Sequence, residues 1–250
     1  VVSAVCVMLD FSAAYAAFSV DLATNTISGG HAQGDVISGI ENVTGSAFTD
    51  RLTGSAGDNE LDGGALDDTL EGGGGADRLI GGGGSDTATY AGSALGVTVN
   101  LTTGVNFGGD AAGDVLLTIE NLTGSDQNDS LTGNGDANTL NGADGDDTLE
   151  GLGGADSVDG GIGTDMVSYQ NAGEGVTLSR TAGTGTVGDA NGDTFTSIEI
   201  IEGSTFGDDL TAAAVGSELR GMEGTDVLRG GAVVDTLVGG EGSDTGFGGG

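Results

Sequence analysis

Twelve aspartates stand at the same place in a nine-residue phrase that recurs along this chain: Asp50, Asp68, Asp77, Asp86, Asp129, Asp147, Asp156, Asp165, Asp208, Asp226, Asp235 and Asp244. Three further copies carry Asn59, Asn138 and Ser217 at that place. In the clearest run, Gly63 to Thr89, glycine opens the phrase and usually recurs at positions 2 and 4; aspartate is sixth and an aliphatic residue eighth. Hard divalent cations take oxygen ligands from carboxylates and main-chain carbonyls in flexible shells. A carboxylate repeated at fixed spacing beside glycine-rich backbone is a ligand array of that kind, and Ca²⁺ is the cation it suits. The glycines are expected to turn the chain through positive φ.

The elements that must position these carboxylates follow from the spacing. The phrase occurs fifteen times in three sets of five, beginning at Gly45, Gly124 and Gly203. Position 1 is glycine in fourteen copies and position 8 is Leu or Val in thirteen. The sets are offset by 79 residues: Glu41, Glu120 and Glu199 align, and Tyr90 and Tyr169 align with Phe11. Each block is an insert followed by nonapeptides: 11–89 (insert 11–44, nonapeptides 45–89), 90–168 (insert 90–123, nonapeptides 124–168) and 169–247 (insert 169–202, nonapeptides 203–247). Residues 1–10 form an atypical N-terminal segment, and 248–250 start a further repeat, as expected of a piece of a longer array. A fixed period is the signature of stacked repeats. Six residues of turn and three of strand leave one inward side chain per phrase, so two phrases make one coil with strands stacked about 4.8 Å apart.

The inserts use similar logic. Val97, Val99 and Leu101 alternate as a half-buried strand does, as do Val20 and Leu22, while Leu116, Ile119 and Leu122 recur at threes like solenoid corners. We read each insert as about two further coils. The fold class expected is all-β: a parallel β-roll or β-solenoid built from Ca²⁺-binding nonapeptides with longer solenoid inserts. Five phrases make two and a half coils. An insert of whole coils would move the aspartate-rich edge to the other side in the next block; a half-integer insert would keep it in place.

Composition narrows the function. Thirty-nine acidic residues stand against five basic ones, a formal charge of −34, which excludes nucleic acid as a partner and disfavours an anionic membrane. With 4% aromatics, no Trp and 54 glycines, a thick core is out of reach, whereas a solenoid needs only a narrow aliphatic ladder. The absence of proline suits unbroken strand pairing. Cys6 alone allows no internal disulfide, and His31 alone allows no His-based zinc site. His31 and Asp35 in the first insert, Asp110 and Asp114 in the second and Asp189 and Asp193 in the third are either an accessory cation site or, the reading preferred here, a solvated turn. No His–Ser–Asp set, Cys–His pair or phosphate loop is present, so a non-enzyme is expected.

The phrase matches G-G-x-G-x-D-x-U-x, the Ca²⁺-binding nonapeptide of RTX proteins. The chain resembles the repeat regions of large secreted bacterial RTX proteins. That resemblance implies a parallel β-roll with Ca²⁺ between turns stacked on one edge, held by position-6 carboxylates of both turns and by backbone carbonyls such as those of Gly73, Gly75, Gly82 and Gly84. It pairs Asp50 with Asp68 and Asp68 with Asp86, then Asp129 with Asp147 and Asp147 with Asp165, then Asp208 with Asp226 and Asp226 with Asp244. These are about six strong sites. On the opposite edge Asn59 faces Asp77, Asn138 faces Asp156 and Ser217 faces Asp235, and the missing charge weakens each. Phe48, Gln127 and Phe206 at position 4 make the first turn of each block a partial site. Ala232, Val233 and Val234 replace turn glycines in the third block.

Six divalent ions would bring the formal charge from −34 to −22. Without them the carboxylates repel and little apolar surface opposes chain entropy, so the chain is expected to fold only on binding Ca²⁺. Extracellular modules bind Ca²⁺ at about 10⁻⁴ to 10⁻³ M, which places folding after export. The resemblance adds type I secretion and a secreted, extracellular or bacterial cell-surface location. Two readings of role follow: a Ca²⁺-stiffened structural or adhesive rod in a fibre, layer or adhesin, or the C-terminal folding and secretion module of an RTX protease, lipase or cytolysin. Expected partners are calcium ions, a second copy joined end to end in a filament, and other surface proteins or glycans, with no nucleic acid and no membrane insertion.

Overall fold

A computed structural model describes residues 7–213 and 216–248; Cys6, Ala214, Val215, Gly249 and Gly250 lie outside the described residues. The chain divides into two compact units, Val1–Ser125 and Asp126–Gly250. The fold is all-β, with short parallel strands and three single-turn 3₁₀ helices among the described residues.

In the first unit, one sheet runs Met8–Asp10, Asn42–Ser46, Glu60–Ala65, Arg78–Gly83 and Val115–Leu117, all parallel. The facing series runs Asn121–Thr123, Thr87–Thr89, Thr69–Gly73, Arg51–Ser55 and Phe18–Asp21, also parallel, and ends on the antiparallel strand Thr26–Gly29. Each nonapeptide strand follows its position-6 residue, and its position-8 side chain points inward. Register puts like on like: Leu61 on Leu79, Leu52 on Leu70, Leu70 on Ala88. The inserts extend the same ladder, with Val20 on Leu52, Val43 on Leu61 and Ala88 on Leu122. Leu52, Leu61, Leu70 and Leu79 are fully buried. Residues 8–10, atypical in sequence, pair in register with Asn42–Thr44.

The second unit repeats the plan. One sheet stacks Ser130–Asn134, Thr148–Leu152, Met166–Ser168, Ile200–Glu202, Glu218–Arg220 and Thr236–Val238. The other contains Thr139–Asn141, Ser157–Asp159 and Thr194–Thr196, and, further along, Thr177–Ser179, Asp209–Thr211, Val227–Arg229 and Thr245–Phe247. Between these two groups lies the antiparallel strand Thr184–Val187.

The inserts are therefore not two plain coils. Each described hairpin (Phe18–Asp21 with Thr26–Gly29, Thr177–Ser179 with Thr184–Val187) turns the chain back, and a 3₁₀ turn follows at Gly30–Ala32 and Gly188–Ala190. Of the period-three apolar residues, Ile119, Leu122, Ile198 and Ile201 are buried, while Leu116 is half-buried. What the pattern conceals is the polar hairpin tip, where Asn25 and Gly183 adopt left-handed conformations. In the second unit Asp129, Asp147 and Asp165 precede strands of one sheet, whereas Asp208, Asp226 and Asp244 precede strands of the other. The aspartate-rich edge changes sides between blocks, the outcome expected when an insert adds whole coils.

Candidate metal centre

The site begins with turn backbone. In the turns opening at Gly63, Gly72, Gly81, Gly142, Gly151, Gly160, Gly221 and Gly239, positions 2 and 4 both have positive φ. Gly73, Gly75, Gly82 and Gly84 are four of these. Leu66, Ala143, Leu152 and Met222 adopt the same conformation without being glycine, at φ 67, 80, 67 and 74°, a strain of about 1–3 kcal/mol each. Position 1 is different. Its glycines do not have positive φ, contrary to the expectation from sequence. They are required by space: a Cβ on Gly63, Gly72, Gly142, Gly151 or Gly221 would collide with Oδ2 of the position-6 aspartate of the same turn. The one copy with alanine at position 1, Ala212, carries Ser217 and no carboxylate at position 6.

Position 6 forms a hydrogen-bonded ladder along each edge. The Asp50 N–H donates to Asp68 Oδ1 at 2.7 Å, and the Asp68 N–H to Asp86 Oδ1 at 2.7 Å. Asp129, Asp147 and Asp165 repeat this, as do Asp208, Asp226 and Asp244. On the other edges Asn59 donates to Asp77, Asn138 to Asp156 and Ser217 to Asp235. The inserts carry the ladder on. The Asp86 N–H donates to Glu120 Oε2 and Asp165 to Glu199 Oε2; Asp77 donates to Asp114 Oδ1 and Asp156 to Asp193 Oδ1. Sequence reasoning assigned no role to Glu120 or Glu199, although their alignment at 79 residues was the available signal.

The second carboxylate oxygen separates two kinds of turn. In the first turns of the first and third blocks it is satisfied by the protein. Ser46 donates its N–H (2.6 Å) and hydroxyl (2.8 Å) to Asp50 Oδ2. Ser204 donates its N–H to Asp208 Oδ2 and its hydroxyl to Oδ1, both at 2.8 Å. Ser55 and Asn134 donate their N–H groups to Asn59 and Asn138 Oδ1. In the third block Gly231 donates to Asp235 Oδ2 at 2.6 Å, and neither Gly231 nor Val233 is left-handed. None of the described residues at positions 2 and 4 of these turns has positive φ.

In seven of the eight left-handed turns the second oxygen is orphaned. Oδ2 of Asp68, Asp77, Asp86, Asp147, Asp156, Asp165 and Asp226 is buried without a hydrogen-bond partner. Burial pushes Asp68, Asp77, Asp147 and Asp156 up to about 7, against a backbone N–H bond that pulls the other way and like charges nearby that add to the rise. Asp86, Asp165 and Asp226 are raised for the same first reason. A buried carboxylate oxygen with no partner costs several kcal/mol unless a proton or cation meets it.

Ca²⁺ fits that demand: the missing partner must be an acceptor of oxygen lone pairs, and the glycine cradle leaves room at Oδ2 that any Cβ would fill. Orphaned aspartates stand one coil apart at Asp68 and Asp86 and at Asp147 and Asp165, and Asp226 stands one coil from half-buried Asp244. No group of three or more His, Cys, Asp and Glu side chains able to hold a metal occurs among the described residues, so main-chain oxygens, other side-chain oxygens or water would complete a shell. No helix of the described residues is long and apolar enough to cross a membrane.

Comparison with curated proteins returns no match. A family model, the RTX calcium-binding nonapeptide repeat (4 copies), matches residues 37–70, 64–88, 118–149, 132–167 and 220–250, over half of the chain. Its matches fall on the turns that carry the orphaned carboxylates, and repeats of this family bind calcium. This all-β parallel roll of glycine–aspartate turns belongs to the RTX calcium-binding nonapeptide repeat family.

Proposed function

We propose that this chain is a secreted, non-catalytic structural section of a surface fibre, layer or adhesin, folded and stiffened by Ca²⁺ outside the cell. The observation that carries the reading is the set of seven buried, unpartnered aspartate oxygens. They make the metal-free fold costly and the metal-bound fold favourable, so the stacked coils form where Ca²⁺ is abundant. Three pairs form the principal sites in this reading: Asp68 with Asp86, Asp147 with Asp165, and Asp226 with Asp244. Asp50, Asp129 and Asp208 then extend the ladder more than they bind metal. Fifteen nonapeptides in a regular 79-residue tandem favour a mechanical role over an accessory one.

The test is a Ca²⁺ titration followed by far-UV circular dichroism, with Mg²⁺ as control. A cooperative coil-to-β transition near millimolar Ca²⁺, absent with Mg²⁺, is expected. A full β spectrum in excess chelator would refute the metal-dependent fold.

A further inference from the structure

We propose a second class of Ca²⁺ site in this protein, in which a nonapeptide turn is completed by the 3₁₀ turn of an insert: Asp77 with Asp110 in the first unit and Asp156 with Asp189 in the second. It rests on the reading that Ca²⁺ meets the orphaned oxygens. It departs from that reading in needing no second nonapeptide turn.

Asp77 is 1% exposed and its Oδ2 has no partner. Both ladder neighbours are already hydrogen-bonded to the protein. One coil earlier, Asn59 is engaged: its Oδ1 accepts from Ser55 and its Nδ2 donates to the Glu41 carbonyl. One coil later, Asp114 is also engaged. Its Oδ1 accepts the Asp77 N–H, and its Oδ2 accepts the Tyr90 hydroxyl at 3.1 Å.

The insert turn brings a different carboxylate. Asp110 lies in the 3₁₀ turn Gly109–Ala111, fixed by its N–H donating to Ser93 Oγ at 3.1 Å. Gly113 of the same insert packs against Ala76, within the turn that ends in Asp77. Asp110 Oδ1 comes in over Gly74, 4.0 Å from where a Cβ there would stand. The turn therefore has a buried, unpartnered oxygen from Asp77 and the Asp110 carboxylate over its backbone.

The second unit repeats the orphaned oxygen, the engaged neighbour and the 3₁₀ turn, and Asp189 is placed opposite Asp156 by its 79-residue alignment with Asp110. Asp156 is 1% exposed with Oδ2 orphaned. Asp193 accepts the Asp156 N–H and the Tyr169 hydroxyl at 2.6 Å. Gly192 packs against Ala155, and Asp189 occupies the 3₁₀ turn Gly188–Ala190. In the first block the set changes together: Phe11 stands for the tyrosine, His31 for Asp110, and Asp35 is exposed.

The test counts bound ions on the full chain by native mass spectrometry in Ca²⁺, with circular dichroism confirming the fold. Asp110→Asn is expected to lose one ion, Asp110→Asn with Asp189→Asn two, and Asp35→Asn none. Tb³⁺ provides a second readout. Tyr90 and Tyr169 bond to the carboxylates beside these sites, so tyrosine-excited Tb³⁺ emission should fall with each substitution. Should Asp110→Asn fail to fold, Asp110→His, the residue the first block carries, is expected to fold with one ion fewer. An unchanged ion count and unchanged Tb³⁺ emission would overturn this proposal alone. A wild-type chain that binds no Ca²⁺ would overturn the parent reading as well.

Discussion

The division into self-satisfied and metal-demanding turns makes a sharp prediction at Ser46. Its hydroxyl donates to Asp50 Oδ2 at 2.8 Å and also accepts the Phe48 N–H at 3.1 Å. Asp50 is 2% exposed, so the carboxylate cannot recover that bond from water. Ser46→Ala removes the hydroxyl and leaves the Ser46 N–H bond to Asp50 in place. A hydrogen bond to a charged group contributes about 1.5–3 kcal/mol. For a chain of this size about 1 kcal/mol moves Tm by roughly 2–4 °C, so a fall of about 3–12 °C is expected. The assay is thermal unfolding at saturating Ca²⁺, with the bound ions counted by calorimetry. The ion count should not change, because the serine stands where a metal would otherwise be needed. Loss of an ion from Ser46→Ala would refute the argument, since it would show that Asp50 was loaded all along. An unchanged Tm would refute the energetic role given to the hydroxyl.

Other outcomes follow from the same geometry. Asp68, Asp77, Asp147 and Asp156 are raised to about 7 in the fold, above their unfolded value near 4. The metal-free fold therefore gains stability as pH falls from about 7 toward 4 and loses it as pH rises through 7. In chelator, the β signal at pH 5 should exceed that at pH 8, and protons competing for the same oxygens should raise the Ca²⁺ midpoint at pH 5.5; a β signal independent of pH would contradict this. Asp226→Asn should raise the Ca²⁺ midpoint by at least about tenfold, the scale seen when even an outer partner of a metal ligand is lost. Gly151→Ala has no conformational penalty at position 1, but its Cβ collides with Asp156 Oδ2. A destabilisation of about 1–3 kcal/mol in urea unfolding is expected, as for an overpacked core, and it should shrink in Gly151→Ala with Asp156→Ser, the pairing that Ala212 and Ser217 already show.

Much of the architecture was legible because one residue in nine does one job. Position 8 is inward and apolar, position 6 is acidic, and the spacing admits only one stacking register, so the leucine ladder could be read directly from the repeat. The period of 79 marked the inserts off from the nonapeptides in the sequence. What it did not expose was the hairpin inside each insert. A hairpin tip such as Ala23 to Asn25 is polar and short, and alternation on its two arms looks the same whether the second strand runs parallel or antiparallel.

The two kinds of turn were harder to read, because they differ in hydrogen bonding and hardly at all in pattern. Asp50 and Asp68 occupy the same position, yet Ser46 satisfies one while the other is orphaned. The distinguishing residue is position 2. Where position 2 is not left-handed, as at Ser46, Asn134 and Gly231, its N–H bonds the position-6 side chain; where it is left-handed, seven of the eight position-6 Oδ2 atoms are left without a partner. The effect is also cooperative along the edge. Each carboxylate spends Oδ1 on the N–H of the previous coil, so only Oδ2 remains to be met. Metal demand thus depends on the conformation two residues into the turn, which composition does not report. Ala212 with Ser217 is the trace of that rule in the sequence: when the carboxylate goes, the glycine that made room for it is free to change.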